Sequence, residues 1–168
     1  RHRGAVLIVS LVLLAVMLIL GLASMRLVTN EERMTGQTFD RALAFQAAEA
    51  ALREAEQRVA AVQPTPGGSA CTDSSAGMDT VRACPPPDPS APPRWQSVVA
   101  ADWAAGSPVI SGGLTLTPSV LVEYLGNTFP CGPAPSDPST CKRYRLTASA
   151  GGGAGRAAVM VQSVYATD

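Results

Sequence analysis

The chain has 168 residues, 46% of them hydrophobic and 15% charged, and its formal net charge at pH 7 is zero. This length predicts one domain with an extension. The charge balance, with no basic patch beyond the N-terminus, argues against a nucleic-acid-binding protein.

The first predicted element is an apolar helix from Ala5 to Met25, a run that contains no charged residue. Its length of about 21 residues matches the ~20 that a helix needs to cross the hydrocarbon core of a bilayer. A cleaved secretory signal is the alternative, but its apolar region is shorter, ~7–15 residues, and is not followed by more helix. Arg1 and Arg3 precede the run, so the positive-inside rule keeps the N-terminus in the cytoplasm and places the rest outside it.

The helical pattern continues without proline to about Val62, and Pro64 and Pro66 end it. Residues 26–62 form an amphipathic second half. A short coiled coil is one alternative for its apolar stripe, although small residues favour packing on a sheet or on other helices. The stripe consists of Phe45, Ala48, Leu52, Ala55, Val59 and Val62.

Several residues within this helix have two readings. The charged group Glu31, Glu32 and Arg33 either contacts other subunits or forms a solvated face just outside the membrane. Gly21 and Gly36 either mark points where the helix melts or bends, since glycine costs about 1 kcal/mol against alanine, or allow another helix to approach closely.

Four cysteines follow the apolar run, an even number in a compartment expected to be oxidising. Three pairings are possible. The local pairs Cys71–Cys84 and Cys131–Cys141 are favoured because each closes a loop rich in Pro, Gly and Ser. A zinc site is the weaker alternative, because no C-x-x-C motif is present and the one histidine is His2.

Residues 63–168 are expected to form a globular head outside the cytoplasm that begins with a loop. The segment PPPDPSAPP within 64–93 predicts an extended or polyproline-like conformation. Residues 94–103 fit either a short helix or a strand. Trp95 and Trp103 in that region are expected to pack in the core or at a sheet edge, with exposed partner-binding aromatic residues as the alternative.

Strand patterns follow at 119–125, 142–150 and 156–165, and GGGAG at 151–155 predicts a turn between the last two. Leu114 and Leu116 suggest a further short strand. The expected fold class is therefore α+β: a long N-terminal helix, about 5–62, packed on an antiparallel sheet of three to four strands.

No catalytic constellation is visible in the sequence. Residues beyond the N-terminus lack a histidine base, a G-x-S-x-G motif, a metal-ligand cluster and a phosphate-binding loop. Glu123 lies alone in its strand, and the aspartates Asp73, Asp79, Asp88 and Asp137 lie in loops. We therefore expect a protein that is not an enzyme and needs neither cofactor nor metal.

The segments RGAVLIVSLVLLAVMLILGLASM, EERMTGQTFDRALAFQAAEAALREAE and YRLTASAGGGAGRAAVMVQSVY together resemble the PilX-type minor pilins of type IV pili. The resemblance implies that residues 1–4 end a leader peptide and that prepilin peptidase cuts after Gly4. Ala5 would become the N-methylated first residue. It further implies an inner-membrane precursor that joins a surface pilus used in twitching motility and adhesion. The implied partners are other minor pilins, the major pilin and a PilY-type tip adhesin.

One position departs from the pilin pattern. Major pilins carry a glutamate five residues after the cut, and here that position is Val9. The hypothesis is that this subunit primes assembly at or near the filament tip, where no subunit lies ahead to pair with a glutamate. Two other functions stay open: a K-type minor pseudopilin of type II secretion, which carries the same departure, and a single-pass periplasmic binding protein that forms no filament.

Overall fold

The computed structural model describes the backbone of most of the chain, and side chains from Val6 onward. By its internal contacts the chain divides into two units, Arg1–Phe39 and Asp40–Asp168. The described residues are 3–66, 71, 83–96, 102–132, 140–153 and 156–167.

One α-helix, α1, runs from Arg3 to Val62 and contributes to both units. It is free of proline and rich in Ala, Leu, Met, Glu and Arg, which have high helix propensity. Gln63 ends it with a positive φ of 46°, and the Gln63 N–H bonds to the Val59 carbonyl at 2.8 Å. Pro64 follows and Lys142 Nζ donates to the Gln63 carbonyl at 3.4 Å, so the predicted end of the helix is confirmed.

The second unit contains an antiparallel sheet of four strands in the order β1-β4-β5-β6, which confirms the predicted α+β fold. Each strand pairs antiparallel with its neighbours. The six strands of the chain are β1 Ala104–Ala105, β2 Val109–Ser111, β3 Leu114–Leu116, β4 Ser119–Pro130, β5 Thr140–Gly151 and β6 Ala158–Ala166.

The predicted strand at Leu114 and Leu116 exists but lies outside the main sheet. It is β3, which pairs only with β2 to form a separate two-stranded hairpin. Gly112 and Gly113 connect them with φ of 58° and 78°, the backbone of a two-residue turn that needs glycine at both positions. This local turn chemistry explains why the segment pairs with its own neighbour.

The core lies between the sheet and the part of α1 that belongs to the second unit. Ala48, Leu52, Ala55 and Val59 are buried as predicted, but Phe45 and Val62 are 48% and 62% exposed, so the predicted stripe is wrong at both ends. The buried face instead includes Leu43, Ala44, Ala47 and Ala51. The small alanine side chains allow the helix backbone to lie close to the sheet. Phe45 lies just outside the buried face of the helix, because it is rotated about 100° around the helix axis from Ala44.

Polar side chains of α1 also fix it to the strands. The Glu54 carboxylate accepts hydrogen bonds from the Ser107 N–H at 3.1 Å and from Ser107 Oγ at 3.0 Å. Glu56 accepts one from Ser163 Oγ of β6 at 2.8 Å. Glu54 therefore binds the segment that follows β1, and Glu56 binds β6, the strand at the opposite edge of the sheet. These two attachments set the position of the helix across the sheet.

The proline-rich segment does not adopt one extended conformation. A turn interrupts it at Asp88–Ala91, where the Ala91 N–H bonds to the Asp88 carbonyl at 3.2 Å. Ser90 donates from its N–H and its Oγ to Asp88 Oδ1 at 2.8 and 2.6 Å. The side chain of Asp88 therefore folds the chain back locally, a tendency of aspartate that the count of prolines does not reveal.

The ambiguous segment at 94–103 and the glycine-rich turn are described in part. Residues 94–96 form a turn, Trp103 is neither helix nor strand, and 97–101 lie outside the described residues. β5 ends at Gly151 and β6 begins at Ala158, so the two strands form the predicted hairpin, with 154–155 outside the described residues.

Candidate functional site

The apolar half of α1 presents its side chains outward. Every side chain described from Val6 to Met25 is exposed, and none of them is charged. The helix is long and apolar enough to cross a membrane. A surface of this kind is stable in lipid or against other apolar helices, because apolar groups lower their free energy when they leave water.

The hydroxyl groups in this surface are satisfied within the helix. Ser10 Oγ donates to the Leu7 carbonyl at 2.9 Å, and Ser24 Oγ donates to the Leu20 carbonyl at 3.0 Å. An unpaired polar group in hydrocarbon costs several kcal/mol, so these internal bonds remove an obstacle to burial in a membrane.

The residues implied as the processing site lie at the start of this helix. Gly4 and Ala5 are in its first turns, and Arg1 and His2 lie outside the described residues. Val9 follows one turn later, with its side chain 58% exposed. The position implied for a pilin glutamate therefore presents an isopropyl group on the helix surface.

The charged and glycine positions of the first unit are exposed helix positions. Glu31, Glu32 and Arg33 are exposed on α1. A methyl group added to Gly21 or Gly36 would meet nothing within 4 Å, so neither glycine accommodates another described part of this chain. The two interpretations of Gly21 and Gly36, bending of the helix and close approach of another helix, stay predictions. So do the two interpretations of the charged group, contact with other subunits and a solvated face.

The head contains an ionic cluster centred on a buried carboxylate. Glu123 of β4 is fully buried, and its Oε2 accepts a hydrogen bond from Arg145 Nε at 2.7 Å. Its Oε1 lies 3.4 Å from Nη1 of Arg94. A buried carboxylate is tolerated when cations and hydrogen bonds compensate it, and the bond to Glu123 raises the pKa of Arg145 above its usual value.

The same region ties the proline-rich loop to the sheet. The Cys84 N–H bonds to the Val122 carbonyl at 2.8 Å, and the Tyr124 N–H bonds to the Cys84 carbonyl at 2.9 Å, on either side of Glu123. Arg94 also donates to the Pro85 carbonyl, which closes the loop at its base. Segment 83–94 is therefore attached to β4 by main-chain bonds and by the Glu123–Arg94 ion pair.

Disulfides join Cys71 to Cys84 and Cys131 to Cys141, with Cα–Cα distances of 4.5 and 5.0 Å. These are the two local pairs that the sequence favours, and no cysteine is free. The first bond lies at the residue that pairs with β4 beside Glu123. The second connects β5 to the residue that follows β4.

The sequence did not reveal the role of Glu123. Glu123 is the one acidic residue of its strand, as the sequence shows, but the sequence did not show that Arg145 of the neighbouring strand is its direct partner in the β4–β5 register. The signal that could have found the pair is one acid and one base, Glu123 and Arg145, in two neighbouring strand patterns. Trp95 and Trp103 are half-buried and lie outside the core cluster, and their role in packing or in partner binding stays a prediction.

No group of three or more His, Cys, Asp or Glu side chains among the described residues is arranged to hold a metal ion. Each unit presents one candidate surface: the apolar surface of α1 in the first unit, and the head with segment 83–94 bound to β4 in the second.

Comparison with protein families decides between the open readings. The PilX N-terminal family model matches residues 3–53, and the model of the type IV pilus assembly protein PilX C-terminal region matches residues 58–167. The chain belongs to the PilX family. No curated protein and no solved structure is significantly similar to it.

Membership gives the two surfaces a common context. PilX proteins are structural components of type IV pilus assembly and are not a known enzyme family. The apolar helix fits a single-pass membrane anchor, and the PilX N-terminal match covers this helix. The protein is thus a pilin-like component that acts with other components of the pilus.

Proposed function

We propose that this PilX-family protein is a minor pilin that helps prime pilus assembly at or near the filament tip and so supports twitching motility and adhesion. The observation that carries the proposal is the match to the two PilX models over residues 3–53 and 58–167. Prepilin peptidase would cut after Gly4, and residues 5–25 would first anchor the chain in the inner membrane and later pack in the filament core.

In this proposal, residues 26–62 support the head and residues 63–168 form its periplasmic part, which contacts other minor pilins, the major pilin and a PilY-type tip adhesin. Val9 supports a position at the tip. A carboxylate near the centre of a membrane costs about 2.5–3.5 kcal/mol, and less near an end. In a pilin this cost is offset when the glutamate carboxylate pairs with the N-terminal amine of the subunit ahead. A subunit at the tip has no subunit ahead of it, so a glutamate would not be stabilised there.

The test of this proposal compares the wild type with Val9→Glu, using Val9→Gln as a control of similar size without charge. Each variant replaces the chromosomal copy and carries a C-terminal epitope tag, and immunogold electron microscopy locates it on sheared pili. We expect the wild type and Val9→Gln at filament ends, and Val9→Glu also along the shaft. Equal position and level of wild type and Val9→Glu would remove the physical basis of the tip assignment.

A second comparison tests the function as a whole. Deletion of the protein is expected to reduce the number of surface pili, with loss of twitching and of attachment to a surface. Complementation with the wild-type chain should restore all three. Normal piliation in the deletion strain would contradict a role in priming.

A further inference from the structure

The sheet of the head ends at β6 with an open edge. β6 pairs with β5 over its whole length, and within the described part of the chain no strand lies on its other side. This pairing has no register shift, unlike that of β4 with β5. A long, regular edge strand exposes a row of N–H and C=O groups that can pair with another strand.

Hydrogen bonds at both ends of β6 show which main-chain groups face this edge. The Gly152 N–H bonds to the Ala157 carbonyl at 3.3 Å, and the Thr167 N–H bonds to the Lys142 carbonyl at 3.0 Å. In an antiparallel pair, bonding to the neighbour alternates between residues. The odd-numbered residues of β6 therefore bond to β5, and the even-numbered Met160, Gln162 and Val164 direct their main-chain groups to the open edge.

The opposite edge of the sheet is protected. β1 has only two residues, and the Cys84 segment bonds to β4 just beyond it. Short edge strands and covering loops are devices that prevent unwanted pairing. β6 contains none of these devices: Ala158–Ala166 has no proline, no glycine and no charged residue. Among the described residues, one edge of the sheet is therefore closed and the other is open.

The side chains of β6 identify the chemistry of a matching strand. Met160 and Val164 are 43% and 61% exposed on one face of β6. On the other face, Val161 and Tyr165 are partly buried against the core cluster. The polar residues at the centre of β6, Gln162 and Ser163, bond to Thr147 and Glu56. A strand added beside β6 would extend the apolar contacts on either side of them, so the matching segment is extended, uncharged and mainly apolar.

We infer that β6 is the docking edge for a strand of another pilus subunit, held by main-chain hydrogen bonds to Met160, Gln162 and Val164. This inference rests on the proposed function, since it names the surface through which the head contacts its partners. Antiparallel pairing of β6 with β6 of a second copy would make the two head segments of α1 antiparallel to each other, and the exchange experiment detects that alternative by its dependence on concentration.

Hydrogen exchange with mass spectrometry tests the inference on the full chain in detergent, alone and co-purified with the other minor pilins of its native cells after co-expression. In the complex, we expect the amides of Met160, Gln162 and Val164 to exchange at least about tenfold more slowly, which corresponds to about 1.4 kcal/mol. The amides of Val161 and Ser163, already bonded to β5, are internal controls that should change little.

A matched pair of variants adds an independent readout. Val164→Pro removes an outward N–H without removing a bond to β5, and Val164→Ala shortens the same exposed side chain but keeps the N–H. We expect Val164→Pro to lower the co-purified amount of partner about tenfold, the effect of losing roughly 1.4 kcal/mol, and Val164→Ala to retain it. If Val164→Pro also loses its cooperative melting transition, the variant is unfolded, and the hydrogen-exchange comparison of the wild-type chain alone and in the complex is then the test of the inference.

Three results would overturn the inference. Co-purification with unchanged exchange of the three amides would remove it and leave the proposed function standing. Slow exchange of these amides in the isolated chain would assign the edge to a second copy if it depends on concentration, or to another segment of this chain if it does not. Failure to co-purify with any minor pilin would contradict the proposed function and the inference together.

Discussion

The Glu123 carboxylate and the Arg145 guanidinium face each other across β4 and β5, with Oε2 and Nε 2.7 Å apart. Glu123 is fully buried, and Arg94 contacts its other oxygen from the proline-rich loop. One carboxylate therefore links the centre of the sheet to a loop that the sequence leaves without a defined place. This contact holds the described loop segment 83–94 against the sheet.

Replacement of Glu123 by glutamine is expected to destabilise the head by about 3 kcal/mol, since it leaves two partly buried guanidinium groups without their counter-charge. The matched control is Glu49→Gln, which breaks an exposed pair with Arg53 at 3.2 Å on α1. Exposed pairs contribute only about 0.2–1 kcal/mol. Urea unfolding of the full chain in detergent, monitored by tryptophan fluorescence, compares the two. Equal effects of both variants would show that the cluster has no special role.

Enlargement of the buried alanine face of α1 should weaken its packing on the sheet. Ala55 is fully buried, so Ala55→Leu is expected to cost about 1–3 kcal/mol through overpacking. Ala50→Leu adds the same atoms at an exposed position of the same helix and should change stability by less than about 0.5 kcal/mol. Thermal melting followed by circular dichroism measures both. A neutral Ala55→Leu variant would contradict the close helix–sheet contact.

The start of the β5–β6 connection requires glycine at one position and tolerates other residues at another. Gly151 has a φ of 89°, and an added Cβ would lie 2.1 Å from the Ala157 carbonyl oxygen. Gly151→Ala should therefore destabilise by at least about 1–2 kcal/mol, the usual penalty of a left-handed residue. Gly153→Ala meets nothing within 4 Å and is the control. Similar midpoints of unfolding for Gly151→Ala and Gly153→Ala would contradict the left-handed backbone conformation of Gly151 and its close approach to Ala157.

The stability of the head is expected to fall at alkaline pH because of the hydroxyl group of Tyr144. Tyr144 Oη is buried, and none of the described residues is its hydrogen-bond partner. Burial, with a smaller contribution from Tyr124, raises the pKa of Tyr144 to about 12 from the ordinary 10.0. As the pH rises, the unfolded chain loses the Tyr144 proton before the folded chain does. The contribution of this group to the free energy of unfolding is therefore complete below pH 10 and is lost as the pH rises towards 12.

Tyr144→Phe removes this titration together with an unpaired hydroxyl. We expect its stability at pH 7 to equal or exceed that of the wild type, because a buried polar group without a partner is costly. Between pH 10 and 12 it should lose less stability than the wild type. Melting temperatures of both proteins across this range provide the measurement. Parallel curves would assign the alkaline loss to other groups.

Local patterns in the sequence were sufficient to predict the main architecture. The prolines after Val62 correctly marked the end of α1. The β-branched and aromatic residues of β4 and the alternation of residues in β5 correctly indicated an antiparallel sheet. These features depend on neighbours in the chain. The resemblance of the N-terminal helix and the C-terminal strands to PilX-type pilins was also confirmed, by family models that match residues 3–53 and 58–167.

The errors arose where packing between distant segments decides the outcome. The spacing of Phe45 and Val62 places them on an apolar stripe, but the sheet covers only the part of that stripe beside the alanines. Glu123 finds its partners 22 and 29 residues away, across a strand pair and a loop whose places depend on the whole head. No periodicity in the sequence encodes either fact.

The most direct test of the central claim is mass spectrometry of the N-terminus of the protein isolated from its native cells. If the protein is a minor pilin, the mature chain begins at N-methylated Ala5, because prepilin peptidase has cut after Gly4 and the new amine has been methylated. An unprocessed start that keeps residues 1–4, or a mature chain that begins after Met25, would contradict the assignment as a pilus subunit.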